Sequence, residues 1–349
     1  MSIFDEYIKG GNPSQIEKSY AWQTAIGLQA VDGLIPSDYL VQTAKQNIEG
    51  DISIEEVKQI LDNYYESRSA RTESEQRTEE ADKVSARITE ILTEKTFNFN
   101  PDYLIQIHRR LFTGVYEFAG VIRSYNITKK EWVLDGDTVL YSSADMIRQT
   151  LEYDFREEKN TDYSGLNADQ AVKRICKFIS GIWQIHPFCE GNTRTTAVFA
   201  IKCLRNFGFN VDNEAFAHNS WYFRNALVRA NYINYSKNIS ATSIYLELFF
   251  DNLLFGADHQ LRNRDMRILK SNSDTKEFSK CQIGPLNVTL EERALLEFVN
   301  KNPRATQQQI AEHIGKSTRT VKRITATLYE KGYLKRENGK RNGNWTILL

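Results

Sequence analysis

Cysteine is scarce in this chain and so is proline, four and six respectively among 349 residues. Cys176, Cys189, Cys203 and Cys281 fall singly, without the paired spacing of a zinc site or the density of a disulfide framework. A reduced cytosol suits such thiols, so the expected location is cytoplasmic. Net charge is missing as well: Lys plus Arg and Asp plus Glu both number 45, and no whole-chain field draws the protein to nucleic acid or a membrane. No window approaches the ~18 apolar residues of a membrane span, and Met1-Ser2-Ile3-Phe4-Asp5-Glu6 lacks the basic region and apolar run of a cleaved signal. A soluble protein without a membrane partner is expected, and any charge signal has to be local. What is plentiful is core material, 41% hydrophobic and 11% aromatic residues. The length exceeds that of one ordinary core and predicts two or three domains.

Hydrophobic periodicity reads as mainly α. From about residue 14 to 70, apolar positions such as Tyr20, Trp22, Ile26, Leu40, Val57 and Leu61 recur at helical spacing. Gly33 and Gly50 break these segments, and Ser53 with Glu56 forms a capping box before the third. Residues 1–75 are therefore read as a helical N-terminal unit. Residues 66–85, rich in Arg, Glu and Ser, look like a solvated helix face or a connecting segment. Between Val121 and Tyr141 the period changes, and Leu134-Asp135-Gly136-Asp137 predicts a β-hairpin. Asn167 to Gln170 caps a long apolar-faced helix running to Ile185, and a second helix ends before Gly208. The unit spanning 76–255 is one domain, the polar stretch 256–285 reads as a linker, and 286–349 as a small independent domain.

Between those two helices lies Ile185-His186-Pro187-Phe188-Cys189-Glu190-Gly191-Asn192-Thr193-Arg194. A lone histidine at a helix end is more often structural than catalytic. Its neighbours change that reading. An imidazole that is partly deprotonated at neutral pH can take a proton from a hydroxyl. The carboxylate of Glu190, four residues on, can hold Mg²⁺ together with phosphate oxygens, although by itself it could be a surface charge. Gly191 and Asn192 lead into a helix whose first N–H groups favour an anion, Thr193 is placed to cap that helix, and Arg194 offers a permanent planar cation. Together these groups predict transfer of part of a nucleotide to a hydroxyl.

The run from His186 to Arg194 resembles the signature H-P-F-x-[D/E]-G-N-G-R-x-x-R of the Fic family. The similarity continues in Ile107-His108-Arg109-Arg110-Leu111-Phe112, in Tyr116-Glu117-Phe118-Ala119-Gly120-Val121-Ile122-Arg123, and in Trp221 to Leu227, so that it covers roughly residues 90–255. The resemblance implies a Fic-type helical bundle with a β-hairpin flap at about Ile127 to Leu140 that aligns a target protein by strand addition. It also implies a protein adenylyltransferase that moves AMP from ATP to a Ser, Thr or Tyr hydroxyl. In that scheme His186 is the general base and Glu190 the Mg²⁺ ligand, Asn192 and Arg194 grip the α- and β-phosphates, and the main chain of Gly191 to Thr193 forms the anion cradle. Tyr222 and Asn225 would line the nucleoside pocket on resemblance alone.

Two positions depart from the signature: Thr193 stands for its second glycine and Ala197 for its final arginine. The missing charge would normally meet the γ-phosphate, so nucleotide choice is open, with ATP the first expectation. Many Fic proteins are held inactive by a helix of pattern [S/T]-x-x-x-E-[G/N] whose glutamate pairs with that final arginine. Leu28-Gln29-Ala30-Val31-Asp32-Gly33 resembles it, with Asp32 for the glutamate, and predicts that this lock is absent or works differently; equally, Asp32-Gly33 could merely end a packed helix. A competing function is a DNA-binding regulator whose Fic part binds nucleotide without turnover, and a third is transfer of another phospho-linked group.

Near the C-terminus, Thr306 to Gln309 opens a helix, Gly315 follows it, and Ser317 begins another that buries Val321, Ile324 and Leu328 and exposes Arg319, Thr320, Lys322 and Arg323. The tail turns around Asn338-Gly339 and Asn342-Gly343 as a β-wing would, and the whole resembles winged-helix DNA-binding domains. Residues 301–349 carry eleven Lys and Arg against three Glu, which suits phosphate contacts. Docking of a protein is the competing use, and the motif with its charge favours DNA. The sequence leaves the oligomeric state open, a homo-oligomer included.

Overall fold

Side chains that reach back into the first helical turn set many of the helix starts. Capping boxes pair Asn12 with Gln15, Ser53 with Glu56, Thr72 with Glu75, Asn167 with Gln170 and Thr306 with Gln309. The computed structural model describes residues 3–67, 72–209, 211, 214–268, 290–337 and 343–347. In chain order the helices are α1 (Asp5–Gly10), α2 (Pro13–Leu28), α3 (Asp38–Glu49), α4 (Ile54–Glu66), α5 (Glu73–Thr93), α6 (Pro101–Phe112), α7 (Ile147–Lys159), α8 (Ala168–Ile185), α9 (Asn192–Asn206), α10 (Glu214–Asn231) and α11 (Ile244–Phe255). A C-terminal set follows: α12 (Leu290–Lys301), α13 (Gln307–His313), α14 (Thr318–Glu330), β1 (Leu334–Glu337) and β2 (Asn344–Ile347).

Helix α8 lies at the centre. Its apolar stripe, Val172, Ile175, Ile179, Ile182 and Trp183, is buried and packs with α7, α9, α10 and α11. The N-terminal helices close a second cluster around Trp22, Leu40, Ile48, Val57 and Leu61. They do not stand apart, because α2 crosses α10 so tightly that a Cβ on Gly27 would lie 2.2 Å from the Ala217 carbonyl oxygen.

Three segments differ from the sequence expectation. Residues 72–85 are not a connecting or wholly solvated piece: they form most of α5, which buries Ala81, Asp82, Val84 and Ser85. Small residues on one face let α5 approach α2, and Asp82 accepts from Ser37 and Tyr65 inside the core, so polar composition hid a buried face.

The segment 121–141 reverses direction at Asp135-Gly136, both in the left-handed region, but it forms no strand ladder. Burial of Val133 and Leu134 winds the tip into a 3₁₀ turn, Trp132–Leu134, closed by the Glu131 N–H to Asp137 O bond of 2.9 Å. The arms stay open and Leu140 is exposed. The third difference concerns residues 256–268, expected as linker. They fold back on the bundle: Met266 is buried, the Ile268 N–H donates to Val133 O at 2.9 Å, and the Tyr245 hydroxyl donates to Asp265 O at 2.7 Å. The remainder, 269–285, lies outside the described residues.

The C-terminal unit follows its expected pattern. Ser317 caps α14, which buries Val321, Ile324 and Leu328, and β1 pairs antiparallel with β2 as a wing. Asn338, Gly339 and Asn342, the expected turn residues, lie outside the described residues.

Candidate active site

A helix C-terminus carries carbonyls without intrahelical partners, and Arg123 gathers those of α8. Its Nε donates to His186 O at 2.8 Å and its Nη2 to Ile185 O at 3.3 Å, while its main-chain N–H donates to Pro187 O at 2.9 Å. The same guanidinium donates to Tyr125 O and Ser142 O, one on each arm of the flap segment. Arg123 therefore fastens the flap to the end of α8.

His186 follows α8 in the left-handed region, at φ +51°. Its imidazole is packed by Tyr141 at 4.2 Å and Trp183 at 5.2 Å between ring centroids, and the residue is 3% exposed. Nδ1 lies 3.1 Å from Trp183 O. A carbonyl can only accept, so Nδ1 carries the proton and Nε2 keeps its lone pair. Burial, and then the nearby Lys129 ammonium, hold the imidazole well below its ordinary pKa. It is a neutral base with one defined tautomer.

The loop after it is held by a second histidine. His108, fully buried and stacked on Phe188 at 3.7 Å, accepts from the Gly120 N–H through Nδ1 at 2.8 Å and donates from Nε2 to Glu190 O at 3.0 Å. Burial lowers its pKa to about 4, which keeps that donor and acceptor pattern fixed. Gly191 follows at φ +76°, where a Cβ would lie 2.4 Å from the Phe112 ring. The Asn192 amide accepts from Phe188 N–H at 3.0 Å and donates to Phe188 O at 2.7 Å, so its side chain braces the loop. Gly191 is the N-cap of α9 and no side chain caps that end, which leaves the first-turn N–H groups of the helix to an anion. Thr193 is not the cap: its hydroxyl accepts the Trp183 indole N–H at 3.0 Å and ties α9 to α8.

Glu190 points away from this brace, with its side chain 53% exposed and Oε2 2.7 Å from Lys129 Nζ. No cluster of three or more His, Cys, Asp or Glu that could hold a metal occurs among the described residues. One half-exposed carboxylate fits a hard cation whose other ligands are phosphate oxygens and water, which is how Mg²⁺ is commonly bound with nucleotides.

Arg194 is 1% exposed and enclosed. Nε lies 2.8 Å from Asp32 Oδ2, Nη2 donates to Glu80 Oε1 at 2.6 Å and to the Tyr116 hydroxyl at 3.1 Å, Nη1 donates to Gln29 Oε1 at 3.1 Å, and the Phe112 ring lies 4.8 Å from the guanidinium carbon. Burial alone would lower its pKa, but Asp32, Tyr116 and Glu80 overcome that and raise it. Asp32 thus pairs with the arginine that this chain keeps, while position 197 is a buried alanine. Asp32 does more than end a helix. Glu80, Gln29 and Lys129 were not singled out from the sequence; the small residues Ala81, Ser85 and Ala86 flanking Glu80 were the available sign that α5 has a packed face.

Tyr222 and Asn225, on α10, are both buried, and the Asn225 amide donates to Asn263 Oδ1 at 2.8 Å from the folded segment after α11. In the C-terminal unit Arg319, Lys322 and Arg323 are exposed, and Thr320 is half-buried with its hydroxyl 3.0 Å from that of Ser317. Arg323 also lines a cleft of about 310 Å³ with Lys316, Glu291, Tyr163 and Phe207, where α14 faces the helical bundle. No described helix is long and apolar enough to cross a membrane.

Two stretches of the chain are similar to known proteins. Protein adenylyltransferase VbhT of Bartonella schoenbuchensis is 33% identical over 114 residues, which is 33% of this chain and 23% of that protein. A protein adenylyltransferase of Bartonella henselae is 27% identical over 114 residues, 29% of this chain and 20% of its own length. The chain thus spans about a fifth to a quarter of the length of these curated relatives. Residues 98–204 match the Fic/DOC family and residues 292–335 match the winged helix-turn-helix DNA-binding family. The protein therefore contains a Fic/DOC family domain followed by a C-terminal winged helix-turn-helix.

Proposed function

We propose that the protein is a nucleotidyltransferase that moves AMP from Mg²⁺-bound ATP to a Ser, Thr or Tyr hydroxyl of a target protein. The observation that carries this reading is the His186 tautomer: Nδ1 is bonded to Trp183 O, which leaves the Nε2 lone pair to accept a proton, and the uncapped first turn of α9 follows a few residues on in the same loop. The target O–H proton passes to Nε2, the oxygen forms a bond to the α-phosphorus, and the bond to the pyrophosphate oxygen breaks. The N–H groups at the start of α9 receive the developing negative charge. A Mg²⁺ ion held by Glu190 would neutralise phosphate charge. Gly191, Asn192 and His108 position the loop, and the open flap arms offer main-chain groups for a target strand. Tyr222 and Asn225 would face the nucleoside, and free Cys176, Cys189 and Cys203 fit a cytoplasmic setting.

A second reading has its own support. Because Arg194 is engaged by Asp32 and Glu80, the domain could hold a nucleotide without turning it over, while Arg319, Thr320, Lys322 and Arg323 bind DNA. One experiment separates the two. Protein and cell extract are incubated with Mg²⁺ and ATP labelled on the α-phosphate, beside the His186→Ala variant. Label transferred only by the unsubstituted protein supports AMP transfer, and no label with any nucleoside triphosphate favours the regulator. Label retained only when it sits on the γ-phosphate would point to phosphoryl transfer.

A further inference from the structure

Among the described cations around His186, most are already engaged. Arg123 binds main-chain carbonyls, Arg224 pairs with buried Glu131 at 2.8 Å, and Arg194 is enclosed by Asp32 and Glu80. Lys129 differs. It sits on the outgoing arm of the flap with its main-chain N–H bonded to the Thr138 hydroxyl, and its ammonium meets the half-exposed carboxylate of Glu190 at 2.7 Å. Its contact with the half-exposed Glu190 carboxylate places it at the solvent-facing side of the site, and its charge also acts on the His186 imidazole. The position that would supply a cation from α9, residue 197, is a buried alanine.

We propose that Lys129 is a substrate-binding residue that contacts the β- and γ-phosphates of the nucleotide, supplying from the flap the charge that Ala197 lacks. This rests on the reading of the site as a nucleotidyltransferase. A Mg²⁺ ion held by Glu190 would displace the Lys129 ammonium from that single carboxylate. The ammonium, on a flexible four-carbon stem, then meets the nearest anions left, the non-transferred phosphate oxygens. A triphosphate brings several negative charges into a mouth whose other described cations face protein groups, so a mobile point charge on a movable arm fits this ligand chemically.

The test measures binding, not turnover. Isothermal titration of the full chain with AMP, ADP and α,β-methylene-ATP in the presence of Mg²⁺ is compared for the unsubstituted protein, Lys129→Met and Lys129→Arg. A charge-assisted contact is worth about a tenfold or larger change in affinity. Lys129→Met should lose that factor for the triphosphate and part of it for ADP while AMP binding stays within about twofold, and Lys129→Arg should recover much of the loss. Equal loss for all three nucleotides, or none for any, overturns the proposal and leaves AMP transfer standing if the labelling experiment succeeds. Failure of the unsubstituted protein to bind any nucleotide overturns both. Lys129 is partly solvent-facing, and an unchanged melting temperature separates its effect from misfolding.

Discussion

Arg194 offers a sharp energetic test. Two carboxylates, those of Asp32 and Glu80, face one guanidinium that is 1% exposed, and both are less than one-third exposed. The enclosure is therefore over-supplied with negative charge. Neutralising either acid alone leaves one carboxylate opposite one cation, so Asp32→Asn or Glu80→Gln should each cost about 1 kcal/mol or less, roughly a single exchanged hydrogen bond. Neutralising both strands a buried cation, and removing the partners of a buried charge costs about 3–5 kcal/mol. The double variant should thus lose clearly more than the two single losses combined, a coupling of about 2 kcal/mol in a double-mutant cycle. Urea unfolding of the four proteins at neutral pH reads this directly. A nucleotide should also restore part of the double variant's stability if its phosphates reach Arg194. Additive losses, each small, would refute the view that these acids jointly compensate the arginine.

Other outcomes follow from the same geometry. With its folded pKa of about 4 against an ordinary 6.5, His108 binds no proton in the native state while the unfolded chain does. Its contribution to stability is complete above pH 6.5 and is lost as pH falls towards 4, by up to about 3 kcal/mol. Unfolding curves across that window should show one proton taken up, and His108→Gln should remove this dependence. Gly191→Ala puts a methyl 2.4 Å from Phe112 at φ +76°; a loss of about 1–3 kcal/mol and strongly reduced labelling are expected, and near-normal labelling would argue against the loop geometry. Retention of the full chain on duplex DNA should weaken with salt, and Arg319→Ala or Arg323→Ala should each lower the salt slope by about one. Unchanged slopes would remove both residues from a DNA interface.

Much of this was legible in the residues. The capping boxes at Ser53, Asn167 and Thr306, the α8 stripe and the helix-turn-helix signals are local, and local chemistry dictated them. Non-local packing was not legible in the same way. Glu80 lies in a run of Arg, Glu and Ser that looks solvated, and only its meeting with Arg194, more than a hundred residues on, gives it a role. The Asp135-Gly136 reversal was visible, but the burial of Val133 and Leu134 that coils the tip depends on helices elsewhere. Thr193 was expected to cap α9, and its hydroxyl holds Trp183 instead, while the Asn192 amide braces Phe188, because a short loop between two buried helices must satisfy its own polar atoms.

The partners of Arg194 carry a lesson for anyone dividing this chain. Gln29, Asp32 and Glu80 all precede residue 98, where the family match begins. An excised piece covering 98–204 would keep Tyr116 and Phe112 against Arg194 but lose both carboxylates that balance its charge. The smallest transplantable module of this enzyme-like core therefore starts near α2, well upstream of the recognisable signature.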